Sequence, residues 1–330
     1  MHMADALVSP AAAGVMYAAS AAAAFYSIKK VRQEDKPHKI PLMGIMGAFV
    51  FAAQMLNFAI PGTGSSGHLC GGLLLAALLG PYAAFLTMIS ILTIQCLIFA
   101  DGGLLALGCN IWNMAFYGCF IGYFAVWQPL LCSGANTKSI AAASILGCLV
   151  ALQLGSLSVA IETTLSGITE LPFGIFAVTM QAIHLAIGMV EGLITACVLI
   201  FIYNARPELI DESSANMQAR FSYKKTLAAL LTAALLLGGA FSLAASDKPD
   251  GLEWSLEQVA GTSELTAASD SHAQSAALQE AIALLPDYSF KNSDSAWGTV
   301  VSGLLGSAAV ILLGTGACFI GKFFNRQKYE

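Results

Sequence analysis

The sequence predicts an all-α, polytopic transmembrane helix bundle of about seven spans, followed by a C-terminal two-span hairpin with an extracytoplasmic loop. Three observations lead there. Hydrophobic residues make up 57% and charged residues 11% of the 330 residues, with a mean hydropathy of +0.72; a soluble domain is about a quarter charged. Apolar runs recur along the whole chain, and most reach the ~20 residues that a helix needs to cross a bilayer. Lys and Arg gather in alternate loops, the asymmetry that fixes membrane orientation.

The nine runs are 7–28, 41–60, 69–80, 82–100, 103–126, 139–160, 174–203, 226–245 and 298–321. The first is Ala-rich and ends at Lys29, before a basic segment over 29–39. The second carries Gln54 and Asn57 as polar insertions and leads into the turn-rich stretch 61–68. The third stops at Gly80-Pro81 and the fourth at Asp101-Gly102-Gly103. The third is too short: twelve residues of helix reach ~18 Å against ~30 Å of hydrocarbon. The Gly/Ser-rich stretch before it is therefore expected to dip into the membrane. Non-helical backbone is tolerated at that depth only inside protein or beside a water-filled cavity, which puts His68 inside the bundle. The segment 204–225, with Pro207, Asp211, Glu212, Ser213 and Ser214, reads as a linker. The expected organisation is a seven-span module (1–205), a cytoplasmic linker (206–223) and a two-span module (224–330) with an outer loop over 246–297.

With 29–40 in the cytoplasm, 13 of the 15 basic residues fall on the cytoplasmic side, and only Lys248 and Lys291 fall outside. The N-terminus is then extracytoplasmic, the C-terminus cytoplasmic, and the location the inner (plasma) membrane, with lipid as surroundings. The start MHMADALVSP has no basic leader and reads as uncleaved. The outer loops carry acids, among them Asp5, Asp101, Glu162, Asp250, Glu253 and Asp287. These read either as a surface that attracts cations or, over 246–297, as an ordinary solvated loop.

No G-x-x-x-x-G-K-[ST], H-E-x-x-H or G-x-S-x-G occurs, so no ATP site or hydrolase motif belongs to this chain, and nothing points to an enzyme, an organic cofactor or nucleic acid. The eight cysteines contain no C-x-x-C pair and read as small buried hydrophobes. Of the five histidines, His38 and His272 lie in polar loops and read as solvated bystanders. His2, His68 and His184 fall in or against the membrane, where a polar side chain is a functional candidate. Met1 and His2 offer an amine, an amide nitrogen and ring Nδ1, which close five- and six-membered chelate rings in one plane. A nitrogen from His68 completes a planar N4 site, suited to Ni(II) or Cu(II), while imidazole also suits cobalt and zinc. His68-x-Cys70 is a second, undiagnostic pairing. His184 and Glu191, seven apart, share a helix face and either pair or orient a ligand from behind. Asn110 and Asn113 form a polar face with Asp101 and Gln95 that suits interhelical bonding better than ligation.

At these residues the chain resembles a known family. MHMADALVSP, SGHLCGG (66–72), FADGGLLALGCN (99–110) and AIHLAIGMVEGLIT (182–195) resemble the cobalt/nickel substrate-binding components of energy-coupling-factor (ECF) transporters, the CbiM/NikM type. The resemblance covers roughly 1–205. Pro249-Asp250-Gly251-Leu252-Glu253, with Pro286-Asp287-Tyr288 and the last span, resembles the small companion component, CbiN or NikN, over about 224–330. The chain thus looks like a fusion of the two. The resemblance implies capture of Co2+ or Ni2+ from outside by Met1, His2 and His68; Asn110, His184 and Glu191 stand beside them as candidates to support those ligands from behind, read from the residues themselves. It also implies partners, a transmembrane coupling subunit and cytoplasmic ATPases. The word Met3-Ala4-Asp5-Ala6 departs from the commonest family wording, which leaves the choice of metal more open than the place of the site. A stand-alone secondary transporter, with Glu191 as coupling carboxylate, and a membrane metal sensor or assembly factor are the rival readings.

Overall fold

The computed structural model describes residues 1–34, 39–211, 219–263, 265, 269–293 and 295–326. His38 lies outside these. The first eight helices are α1 (Pro10–Glu34), α2 (Lys39–Gln54), α3 (Gly72–Leu79), α4 (Pro81–Phe99), α5 (Leu107–Leu131), α6 (Thr137–Ser166), α7 (Phe173–Ala205) and α8 (Tyr223–Gly239). After them come α9 (Gly251–Ala260), α10 (Asp270–Ile282) and α11 (Trp297–Arg326). Six, namely α1, α4, α5, α6, α7 and α11, are long and apolar enough to cross a membrane. With α2, α3 and α8 they follow the nine apolar runs. Large apolar side chains face outward, for example Phe25 (73% exposed), Leu165 (79%) and Leu312 (71%), while Gln54, Gln95, Asn110, His184 and Glu191 are buried inside. Apolar outside and polar inside inverts a soluble protein's surface and marks a multi-pass membrane protein. Cys132 and Cys197 depart from the expectation for cysteines, since both are exposed.

Local chemistry sets the helix ends. Pro10 and Pro81 open α1 and α4, where a missing N–H costs nothing. Asn136 caps α6 in a reciprocal box with Ser139, and Gly167 closes that helix in the left-handed region. Most of α5 is wound with wider, π-type hydrogen bonding over Ile111–Trp127.

The second apolar run stops being helical at Gln54. From there the backbone turns into a short antiparallel hairpin, β1 (Phe58–Ala59) with β2 (Ser66–Gly67). His68 follows β2 directly and is 7% exposed. The helix after it, α3, has only eight residues, and Gly80 breaks the chain before α4 at a φ of 83°. Non-helical backbone thus runs into the bundle interior, as the short third run requires.

The loop over 246–297 is not an extended solvated segment. It holds α9 and α10 and lies on the first module. Asp250 caps α9, accepting from Leu252 N and Glu253 N, while Glu253 accepts from Asp250 N. α9 packs on α7, and α10 on α4 and on the short 3-10 turn Asp5–Leu7. The spans α8 and α11 pack on α2, and α11 also on α4. His272 is therefore no solvated bystander: it is 1% exposed, with Nε2 3.0 Å from the Val8 carbonyl oxygen and Nδ1 2.7 Å from Ser269 Oγ. An Ala-rich helix with little apolar content looks solvated in sequence, yet here it covers the N-terminal stub.

Candidate metal centre

Residues 1–8 thread into the bundle instead of fraying. Met1, Met3, Leu7 and Val8 are all buried. Asn110 on α5 clamps the Met3 backbone from both sides: Met3 N donates to its Oδ1 (2.7 Å) and its Nδ2 donates to Met3 O (3.2 Å). Gly103 N adds a second bond to Met3 O, at 2.8 Å. Gly102, at a φ of 80°, lies so close that an added Cβ would come 2.7 Å from Asn110 Nδ2 and 3.3 Å from His2 Cβ. The His2 amide N–H donates to no protein group among the described residues.

Held this way, the Met1 amine lies 3.0 Å from His68 Nε2. An ion bound at ~2.0–2.1 Å to two nitrogens at a right angle needs them ~2.9 Å apart, so this pair already has that spacing. His68 Nδ1 is 3.3 Å from the Leu69 carbonyl oxygen, a geometry that keeps the ring proton on Nδ1 and a lone pair on Nε2. Glu191 on α7 fixes the backbone that carries His68, accepting from Cys70 N and Gly71 N at 3.0 Å each.

The His2 ring stands 5.3 Å from the His68 ring, 27° from parallel. Its Nδ1 faces Asp101 Oδ1 at 3.2 Å and its Nε2 faces Gln95 Oε1 at 3.2 Å. Gln95 continues to Gln54 (2.7 Å), and Gln54 to the Cys70 carbonyl oxygen (2.8 Å). The structure thus brings together the amine and His68 Nε2, while the His2 ring must turn from Asp101 before its Nδ1 can join them. His184 and Glu191 form no pair: His184 Nδ1 is 2.8 Å from the Met180 carbonyl oxygen, and its other edge meets Gly251. Cys70 contributes backbone bonds here. Asp101 and Gln95 flank His2.

Two residues of the second module enter this site. Asp250 Oδ2 pairs with the Met1 amine and lies 3.9 Å from His68 Nε2. Tyr288 donates its hydroxyl to Asp101. Burial opposes charge on the carboxyl and the amine, and their ion pair overcomes it. Asp250 is held well below the usual carboxylate range and the Met1 amine above its ordinary value. A cavity of about 620 Å3 adjoins the site, lined by His2, His68, Asp101, Asp250, His272 and Tyr288 among others. Sequence reasoning did not bring Asp250 or Tyr288 to the site. The signal for part of it was there: Asp250 followed by Glu253 is a capping box that announces α9.

A membrane-embedded helix bundle that buries nitrogen donors beside an acidic cavity defines a protein of the metal-transport class. Comparison with known proteins agrees. Residues 2–209 match the family described as "Cobalt uptake substrate-specific transmembrane region" (CbiM), and residues 224–322 match the PDGLE domain. The chain belongs to the CbiM family, as a CbiM/NikM-type module fused to a CbiN-like part. It is 36% identical to a putative fused nickel transport protein NikMN of Archaeoglobus fulgidus, over 95% of this chain and 97% of that one. It is 32% identical to a probable fused nickel transport protein LarMN of Lactiplantibacillus plantarum, over 78% of this chain and 79% of that one. Among solved structures it resembles a transition metal transporter, with a TM-score of 0.56 and 31% identity, over 66% of this chain and 100% of that one.

Proposed function

We propose that this chain is the substrate-capture subunit of an ATP-driven ECF-type importer for Ni2+ or Co2+. The ion is the cargo, taken from the extracytoplasmic face and held by the Met1 amine, the His2 amide and ring Nδ1, and His68 Nε2. The observation that supports this most is the 3.0 Å spacing of the Met1 amine and His68 Nε2 in the bundle interior. In this reading Asn110 sets the register of the stub, Glu191 holds the His68 backbone, and His184 seats the second module. Residues 1–205 form the capture module, 206–223 the cytoplasmic linker and 224–330 the companion module. A transmembrane coupling subunit and cytoplasmic ATPases supply the energy. A secondary transporter would need Glu191 as its coupling carboxylate, and that carboxylate is engaged by two backbone N–H groups.

The test is nickel and cobalt titration of the purified chain, with uptake measured in cells. The reading expects binding that His68→Ala abolishes and uptake that requires the ATPase subunits. Binding indifferent to His68→Ala, or uptake without any ATPase, overturns it.

A further inference from the structure

The second module reaches the metal donors themselves. Asp250 divides its carboxylate: Oδ1 accepts from Leu252 N (2.8 Å) and Glu253 N (2.9 Å) as the cap of α9, which leaves Oδ2 aimed at the Met1 amine. The segment that carries it is fixed on both sides. Ser66 N donates to Pro249 O (2.8 Å) and Ser66 Oγ to Lys248 O (2.7 Å), tying it to β2. Gly251 abuts α7 so closely that a Cβ there would come 2.7 Å from Ile187 Cδ1 and 2.9 Å from His184 Cε1. On this fixed backbone, Asp250 cannot swing away without giving up both cap bonds of α9.

An ion held by the amine and His68 Nε2 therefore arrives beside a carboxylate that stays in place. Two fates are open to Oδ2, to leave with the ammonium proton or to pass from ammonium to cation. The fixed backbone opposes the first, and attraction between a carboxylate and a dication at low dielectric favours the second.

We infer that Asp250 is an oxygen donor to the metal, so that the second module completes a centre the first module begins. This rests on the Met1–His2–His68 reading. A carboxylate at the apex of a planar nitrogen set makes the ion five-coordinate and widens acceptance beyond strictly planar ions, a route by which the companion module bears on the choice between nickel and cobalt.

The experiment uses the full-length chain in detergent, with Ni2+ as the probe. Asp250→Asn keeps a good helix cap and nearly the same shape while removing the charge. Titration calorimetry is expected to give about tenfold or more weaker nickel binding for Asp250→Asn. The nickel X-ray absorption edge is expected to change from five-coordinate in the native chain to planar four-coordinate in the variant. Equal affinity with identical edges overturns the inference. If the variant does not fold, the native edge decides alone, and a planar four-coordinate edge overturns it. Nickel binding that His68→Ala leaves intact refutes the underlying ligand reading instead, and so is distinguishable.

Discussion

Cap the Met1 amine with a single acetyl group. The Met1 nitrogen then becomes an uncharged amide N–H with no free amine ahead of it. Met1 is 3% exposed and its side chain borders cavities of only about 10 Å3, so the stub has no slack in which to make room for the cap. Asp250, with a side chain 14% exposed, loses its cationic partner. Breaking a buried pair from one side costs about 3–5 kcal/mol. At 1.4 kcal/mol per decade this is about two to four decades in the population of the docked, binding-ready arrangement. The amine donor and its five-membered chelate ring vanish in the same step. Nickel titration of the purified acetylated chain is expected to show affinity at least a hundredfold weaker than the native chain. Affinity within threefold of native would mean that the α-amine is not a ligand, and the reasoning fails at its first residue.

Further expectations follow from the same geometry. On the proposed ligand set, Ni2+ displaces protons from the Met1 amine, which Asp250 holds above its ordinary value, and from the His2 amide; apparent affinity should therefore rise with pH by about a hundredfold per unit below the amine pKa, and calorimetry in buffers of different ionisation heat should count about two protons released per ion. The sign for module docking is opposite at that end: a raised amine pKa means that the Met1–Asp250 pair stabilises the fold fully below the unfolded amine value of about 8, and that this contribution is lost as pH rises through the folded value. At the acid end the lowered Asp250 pKa means that the contribution is present above the unfolded carboxyl value of about 3.9 and lost as pH falls through the folded one; thermal unfolding followed across pH checks both arms. Glu191→Gln turns an amide NH2 toward one of the Cys70 and Gly71 N–H groups and should destabilise by about 1–3 kcal/mol, read as a lower Tm with weaker nickel binding. Gly251→Ala drives a Cβ into His184 and Ile187 and should cost about 1–3 kcal/mol, seen as faster hydrogen exchange in α9 while α4–α7 keep their protection.

The bundle was legible because hydropathy acts locally. Nine apolar runs give nine helices at nearly the same places, and a twelve-residue run against a ~30 Å barrier was enough to bury His68. The loop over 246–297 was less so. His272 lies on a helix of low apolar content, and only its contact with Val8, 264 positions away, makes it an interior residue. Asp250 reaching Met1 and Tyr288 reaching Asp101 are likewise long-range pairings that leave no periodic mark on the chain. The orientation of the His2 ring is a rotamer choice made by Asp101 and Gln95, which sequence spacing does not determine. The approach of His68 to the Met1 amine was expected from the sequence and is seen; the His2 ring turned to Asp101 and the arrival of Asp250 were not.

Arg220 N and Phe221 N both donate to Ala205 O, at 3.1 and 3.3 Å, so the chain returns to the end of α7 before α8 begins. The two described ends of the linker segment, at 205 and 220–221, therefore lie side by side. Contact between residue 250 and residue 1 is therefore a unimolecular event with a high, fixed local concentration. Cut between 206 and 223, the same contact becomes a second-order association that dilution in the bilayer can abolish. Fusion makes the occupancy of that contact independent of how much protein the membrane holds.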